Sequence, residues 1–197
     1  MVTVIYVGGG MTFPDHASFL DYLRMRELSL EQAPTWKDTL ADDSGLLVVR
    51  VPMPCKENAH YDAWEITFSR YLELVEGDLV LVGCSLGGIF LAKYLSEHER
   101  IDRVGKVILV APPFDDTLSS EPLTNGFVLG DLSRLAEYDV ELFFSKNDTV
   151  VPVEHAEKYR SALPSADIHV LDAADHFIQE EFSELVGSLR SFLEDVR

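Results

Sequence analysis

Short runs of consecutive apolar residues recur along this chain, separated by longer stretches whose apolar positions lie three or four apart. The runs Thr3–Val7, Leu46–Val51, Leu79–Val82, Val104–Val110, Val140–Phe144 and Ile168–Leu171 are strand-sized and rich in β-branched residues. They do not alternate apolar with polar, which predicts strands buried on both faces. Helical spacing falls near His16–Leu28, Ala59–Val75, Ile89–Glu97, Leu132–Glu137 and Val153–Ala162. A last helix presents one apolar face of Phe182, Leu185, Val186, Leu189, Phe192 and Leu193. Strands and helices in alternation predict an α/β fold, a parallel sheet covered by helices on both faces. Two segments break the rhythm: residues 8–41 exceed one crossover helix, and residues 111–130 are rich in Pro, Asp, Ser and Gly. Both are expected at the carboxyl edge of the sheet or on the surface, where function concentrates.

No repeat, low-complexity tract or linker interrupts the pattern, so residues 1–197 read as a single domain. An apolar content of 47% is enough for a full core. The net charge of −18 disfavours nucleic acid, anionic membranes and polyanionic substrates. Acidity also keeps a protein dissolved without any further role. The longest apolar runs are strand-sized, no basic leader precedes the first strand, and Cys55 and Cys84 make no disulfide framework. These features predict a cytoplasmic protein.

The chemistry begins at Gly83-Cys84-Ser85-Leu86-Gly87, between the apolar run Leu79–Val82 and the helical stretch from Ile89. G-x-S-x-G between strand and helix is a nucleophile elbow. The turn is tight enough that side chains two before and two after the serine would clash, and glycine at both places removes them. Ser85 is then left on strained backbone, exposed at the sheet edge near the positive end of the next helix.

A serine needs a base, and the base needs an orienting acid. The chain order serine, acid, histidine is met by Asp148, after the strand Val140–Phe144, and His176, after the strand ending at Leu171. Asp175, Asp115 and Asp116 are the rival acids. His98 and His155 fall in helical segments and read as solvated, His169 falls in a strand, and His16 and His60 fall near the active edge. An oxyanion hole needs two backbone N–H groups. Leu86 supplies one; Gly10 or Met11, in the loop Gly8-Gly9-Gly10-Met11, supplies the other. That loop does not match G-x-G-x-x-G, and no local His/Cys/Asp cluster has metal-ligand spacing. No metal or cofactor is expected.

Over its whole length the chain resembles an α/β-hydrolase. More narrowly it is similar to the compact serine hydrolases of the retinoblastoma-binding-protein type and their small prokaryotic relatives. The matches are Pro52-Met53-Pro54, Tyr61 and Trp64, the elbow, Asp148 with Val151-Pro152, and His176-Phe177 with Glu181–Leu185. The resemblance implies a six-stranded parallel sheet in the order 2-1-3-4-5-6, no large cap domain, and Ser85, Asp148 and His176 as a triad. The chain departs from that pattern at Cys84, where histidine is usual, and at Asp175, where glycine is common. It also departs at the first loop, and in Thr12–Pro34, which reads as an insertion forming a small lid or pocket wall.

The expected activity is hydrolysis of a small or medium carboxylic ester, thioester or activated amide, carboxylesterase-like, through an acyl-serine. The expected partner is a small-molecule acyl substrate. Pocket walls are expected from Met11, Phe13, Tyr61, Trp64, Phe114 and Phe177, with Tyr61 and Trp64 reading equally well as core. Two other readings use the same residues: acyl transfer to another acceptor, and a non-catalytic binding protein on the same fold. The Leu-x-Cys-x-Glu segment that binding of retinoblastoma protein requires is not present around Cys55-Lys56-Glu57.

Overall fold

The computed structural model describes residues 2–30, 33–118 and 122–195. Six strands form one sheet: β1 (Val2–Val7), β2 (Leu47–Arg50), β3 (Asp78–Cys84), β4 (Val104–Val110), β5 (Val140–Ser145) and β6 (Asp167–Leu171). All neighbours pair in parallel, in the order β2-β1-β3-β4-β5-β6. Tyr6 registers with Val82 and Leu109 with Leu142, so the strand ends form one continuous carboxyl edge. In the central strands nearly every residue is buried, whichever way its side chain points. That pattern requires cover on both faces, as the non-alternating runs predict. The outer strands β2 and β6 are partly exposed.

Among the described residues six α-helices accompany the sheet: α1 (His16–Met25), α2 (Trp36–Ser44), α3 (Tyr61–Leu74), α4 (Leu86–Glu97), α5 (His155–Ala162) and α6 (Ser183–Asp195). The face Tyr61, Trp64, Phe68 and Leu72 of α3 is buried, and its rings meet Phe90 of α4 edge-on or tilted at 5.4–5.6 Å. Such edge contacts add to burial rather than replace it. On α6, Leu185 and Leu189 are fully buried, whereas Val186 and Phe192 pack at the margin of the core.

Three expectations change. The long 8–41 segment holds two helices, not one. The second, α2, buries only Trp36, Leu40 and Ser44, too thin a stripe to register as periodicity. Its sequence signal is the N-terminal capping box, in which Thr35 and Asp38 each bond the other's backbone N–H. The stretch Leu132–Glu137 forms only a single 3₁₀ turn at Leu135–Glu137. The fourth helix begins at Leu86, directly after Ser85, not at Ile89. Among the described residues no helix is long and apolar enough to cross a membrane.

Candidate active site

Ser85 sits between β3 and α4 with φ 54° and ψ −122°, backbone that a non-glycine residue adopts only under strain. Neighbouring packing enforces it. The Ser85 N–H donates to the Val110 carbonyl at 2.8 Å, and the Ser85 carbonyl accepts from Gly88 at 2.8 Å. A Cβ on Gly83 would lie 2.5 Å from the Gly87 carbonyl oxygen, and one on Gly87 would collide with the carbonyls of Val7 and Gly8. The elbow is therefore closed only because both flanking positions lack side chains. Cys84 is buried, and burial pushes its thiol pKa up, so it packs as a small neutral group.

Asp148 follows β5 with its side chain fully buried. Its Oδ1 accepts the N–H groups of Val150 and Val151 at 2.8 and 2.9 Å, and its Oδ2 lies 2.7 Å from His176 Nδ1. These three contacts hold the acid in one orientation. A carboxylate accepts only, so Nδ1 carries the proton and Nε2 is left with its lone pair. His176 is flanked by Asp175 at φ 43° and Phe177 at φ 54°. The glycine-typical position is thus left-handed, and aspartate tolerates that conformation better than most residues.

A polar brace joins the acid and histidine loops. Ser145 Oγ donates to Asn147 Oδ1 at 2.7 Å and accepts the Ala174 N–H at 2.9 Å; Asn147 also bonds Asp175 through both backbone and side chain. From the other side, Trp36 Nε1 donates to the Phe177 carbonyl at 2.9 Å. Neither Ser145, Asn147 nor Trp36 stands out in the sequence, because the groups they join are distant along the chain.

The rival groups are placed elsewhere. Asp115 is paired with Lys158 at 2.6 Å; burial raises its pKa, but the bonds from Lys158 and Thr117 outweigh that and hold it at about 2. Asp175 bonds Asn147 instead of the imidazole. His98 stacks on Tyr94 at 4.0 Å. The expectation that His155 is solvated fails: it is fully buried and accepts the Phe114 N–H at Nδ1, 3.0 Å. His169 Nε2 lies 2.9 Å from Glu141 and 3.3 Å from Asp167. These three residues come together across β5 and β6, a cluster invisible to local spacing, and Lys106 Nζ already lies 3.0 Å from Glu141. No hydrogen bond joins Ser85 Oγ to His176 among the described residues, a separation common before substrate tightens a site.

Of the two candidates for the second oxyanion donor, Met11 is excluded, because its N–H donates to the Lys56 carbonyl at 2.8 Å. Gly10 and Leu86 have no backbone acceptor for their N–H groups among the described residues. The loop is pinned by Thr12, whose Oγ1 donates to the Pro122 carbonyl at 2.6 Å and accepts the Thr124 N–H at 3.0 Å.

Two cavities meet at the glycine loop. Ser85 lines a small one of about 20 Å³ with Gly10, Met11, Leu86, Pro113 and Val150. On the other side, Gly8 and Gly9 border an open groove of about 1270 Å³. The expected aromatic walls do not line either. Trp64 and Phe177 are 0% exposed and Tyr61 is 7% exposed, its hydroxyl donating to Glu97 at 2.9 Å. Phe114 packs edge-on against Tyr159, and Phe13 clusters with Phe19 and Tyr22. Large rings gain most by filling the core, so loop prolines, valines and glycines line the small cavity instead. Through His16 and Phe19, α1 forms a wall of the groove; residues 31 and 32 of the Thr12–Pro34 segment lie outside the described residues.

Residues 31–186 match the model of a family described as serine hydrolase. The ydeN gene product of B. subtilis has a similar fold, with a TM-score of 0.73 at 19% identity over 98% of this chain and 100% of that one. A putative YdeN-like hydrolase from Pectobacterium atrosepticum gives 0.70 at 17% identity, covering 100% of this chain and 92% of that one. A meta-cleavage product hydrolase from Pseudomonas fluorescens gives 0.69 at 14% identity, with coverage of 100% and 92%. These likenesses show the α/β-hydrolase fold. No curated protein sequence matches the chain.

Proposed function

We propose, from the premise that this chain belongs to the serine hydrolase family, that it cleaves a carboxylic ester, thioester or activated amide through an acyl-Ser85 intermediate. The observation that carries this is the 2.7 Å bond from Asp148 to His176 Nδ1, at the same sheet edge as the strained Ser85. Ser85 Oγ attacks the carbonyl carbon while His176 Nε2 takes its proton. Asp148 keeps the proton on Nδ1 and stabilises the imidazolium. The Leu86 and Gly10 N–H groups hold the developing oxyanion, aided by the positive end of α4. Collapse of the tetrahedral intermediate breaks the acyl bond, and His176 returns the proton to the leaving group. Water then repeats the sequence and frees the acid. The small cavity leaves little room beside Ser85, so the larger part of the substrate lies in the groove.

The test is mass spectrometry after reaction with a small fluorophosphonate, alongside Ser85→Ala. One adduct mapped to Ser85 and lost in the variant is expected. A well-folded protein that gives no adduct and hydrolyses no p-nitrophenyl ester would overturn the proposal in favour of a binding role.

A further inference from the structure

The groove passes close to the nucleophile at Gly9. A Cβ placed on Gly9, in its wall, would lie 3.3 Å from Ser85 Cβ and 3.8 Å from Ser85 Oγ. The cavity on the other side of the loop, about 20 Å³, holds about one water-sized group. The small cavity has no room for a longer substrate arm, and the groove is the large space beside Gly9 that can take one.

The charge of the groove reverses that of the chain. The sequence carries −18, yet among the described lining residues Lys37, Arg50 and Lys56 face only Asp38 and Glu57, with His16 and His60 beside them. One of these acids is paired outside the groove, and the other keeps its charge there. Glu57 is paired with Arg26 at 3.0 Å, and Asp38 caps α2 by accepting the Thr35 N–H at 2.9 Å. The lysines do not share that fate: the lysine ion pairs among the described residues belong to Lys93, Lys106, Lys146 and Lys158. Lys37 is half-buried, its ammonium 5.7 Å from the Trp36 ring centroid. Its charge reaches the elbow, where it is the main influence opposing the effect of burial on the Cys84 thiol. Arg50 is held in place by the carbonyls of Lys37 and Asp38. The first turn of α2 also opens here through Thr35 and Lys37, adding partial positive charge.

We infer that this groove receives an ionised carboxylate of the substrate. The preferred ester, thioester or amide is then one that carries a second carboxylate away from its reacting carbonyl. This rests on the serine-hydrolase reading above. A carboxylate in the groove pairs with Lys37 and Arg50 through charge-assisted hydrogen bonds, whereas a neutral chain leaves them sharing the single carboxylate of Asp38. The inference runs against the global charge, and the reason is range. Exposed charges more than about 8 Å apart are screened at physiological salt, while contacts inside a groove are not.

The test compares kcat/KM for p-nitrophenyl monoesters of adipic, suberic and sebacic acids with the matching hexanoate, octanoate and decanoate. A second arm places the carboxylate on the alcohol side, as p-acetoxyphenylpropionate against its methyl ester. A charged-to-neutral ratio above one is expected in at least one arm. Lys37→Glu, at a helix position where an acid suits the dipole, should lower that ratio about fivefold or more, and Lys56→Glu should lower it less. A ratio below one at every length in both arms would overturn the inference, as would a ratio that Lys37→Glu leaves unchanged. Calorimetric titration with free suberate reads the groove without turnover, and binding that weakens in Lys37→Glu supports it. Hydrolysis of the neutral esters, lost in Ser85→Ala, upholds the serine-hydrolase reading whichever way the ratio falls.

Discussion

The indole N–H of Trp36 donates to the carbonyl oxygen of Phe177 at 2.9 Å, across 141 positions of sequence. This bond ties α2 to the loop that presents His176, and the Trp36 backbone N–H adds a second tie to the Gln179 carbonyl at 3.0 Å. Around it, the Trp36 ring meets Tyr6 and Phe182 edge-on at 6.0 and 5.3 Å. The loop that carries His176 is thus tied at two points to a helix distant from it in sequence.

Trp36→Phe keeps most of the ring packing and removes the indole donor. The Phe177 carbonyl is then buried without that partner, which costs about 1–3 kcal/mol. Urea denaturation should register the loss. If the bond also positions His176, kcat should fall several-fold with KM little changed, whereas a purely structural role would move stability alone.

Asp148→Asn preserves the two bonds from Val150 and Val151 to Oδ1 but turns an amide N–H₂ toward His176. Nδ1 must then accept, the proton moves to Nε2, and the imidazole can no longer take the serine proton. A fall of about three to four orders of magnitude in kcat is expected, by analogy with the same exchange in serine proteases, with the fold intact by circular dichroism.

Gly87→Ala drives a methyl group into the Val7 and Gly8 carbonyls, where backbone cannot yield cheaply. A loss of about 3 kcal/mol or more is expected, seen as a collapse of the urea midpoint. Gly187→Ala is the contrasting case. It lies in α6 with nothing within 4 Å of its Cβ position, and should gain about 0.5–1 kcal/mol.

His155 introduces a pH dependence away from the reaction. Burial lowers its pKa below the ordinary 6.5. Below 6.5 the unfolded chain takes up a proton that the folded chain refuses, so unfolding gains. Stability from this group is complete above pH 6.5 and declines as pH falls toward the lowered folded value. His155→Asn, whose Oδ1 can still accept the Phe114 N–H, should flatten stability against pH below about 6.5. An unchanged slope in denaturation at several pH values would assign the acid limb to other groups.

The elbow could be read from the chain because its constraint is local: strand, tight turn and helix are consecutive, and the glycines that permit the turn are two residues from Ser85. Asp148 and His176 could be found because each falls just after an apolar strand. The helix α2 was hidden, since three buried residues in nine make no periodic stripe, and only its cap marks it. Tyr61 and Trp64 show the limit of composition: the sequence reads them equally as pocket or core, and the structure turns their rings into the core, where burial of a large apolar surface is worth most.

By itself the sequence determined the parallel α/β architecture, the strand order through its family resemblance, and the identity of the elbow. These follow from periodicity and neighbouring residues, which act over a few positions. Only the tertiary structure decided which carboxylate meets His176, that the Met11 amide is already used, and that Lys37, Arg50 and Lys56 gather in one groove of an acidic chain. Each of those depends on groups brought together from distant segments. Hydrogen bonds and charge pairs act over a few ångströms of space, and separation along the chain carries no information about that distance.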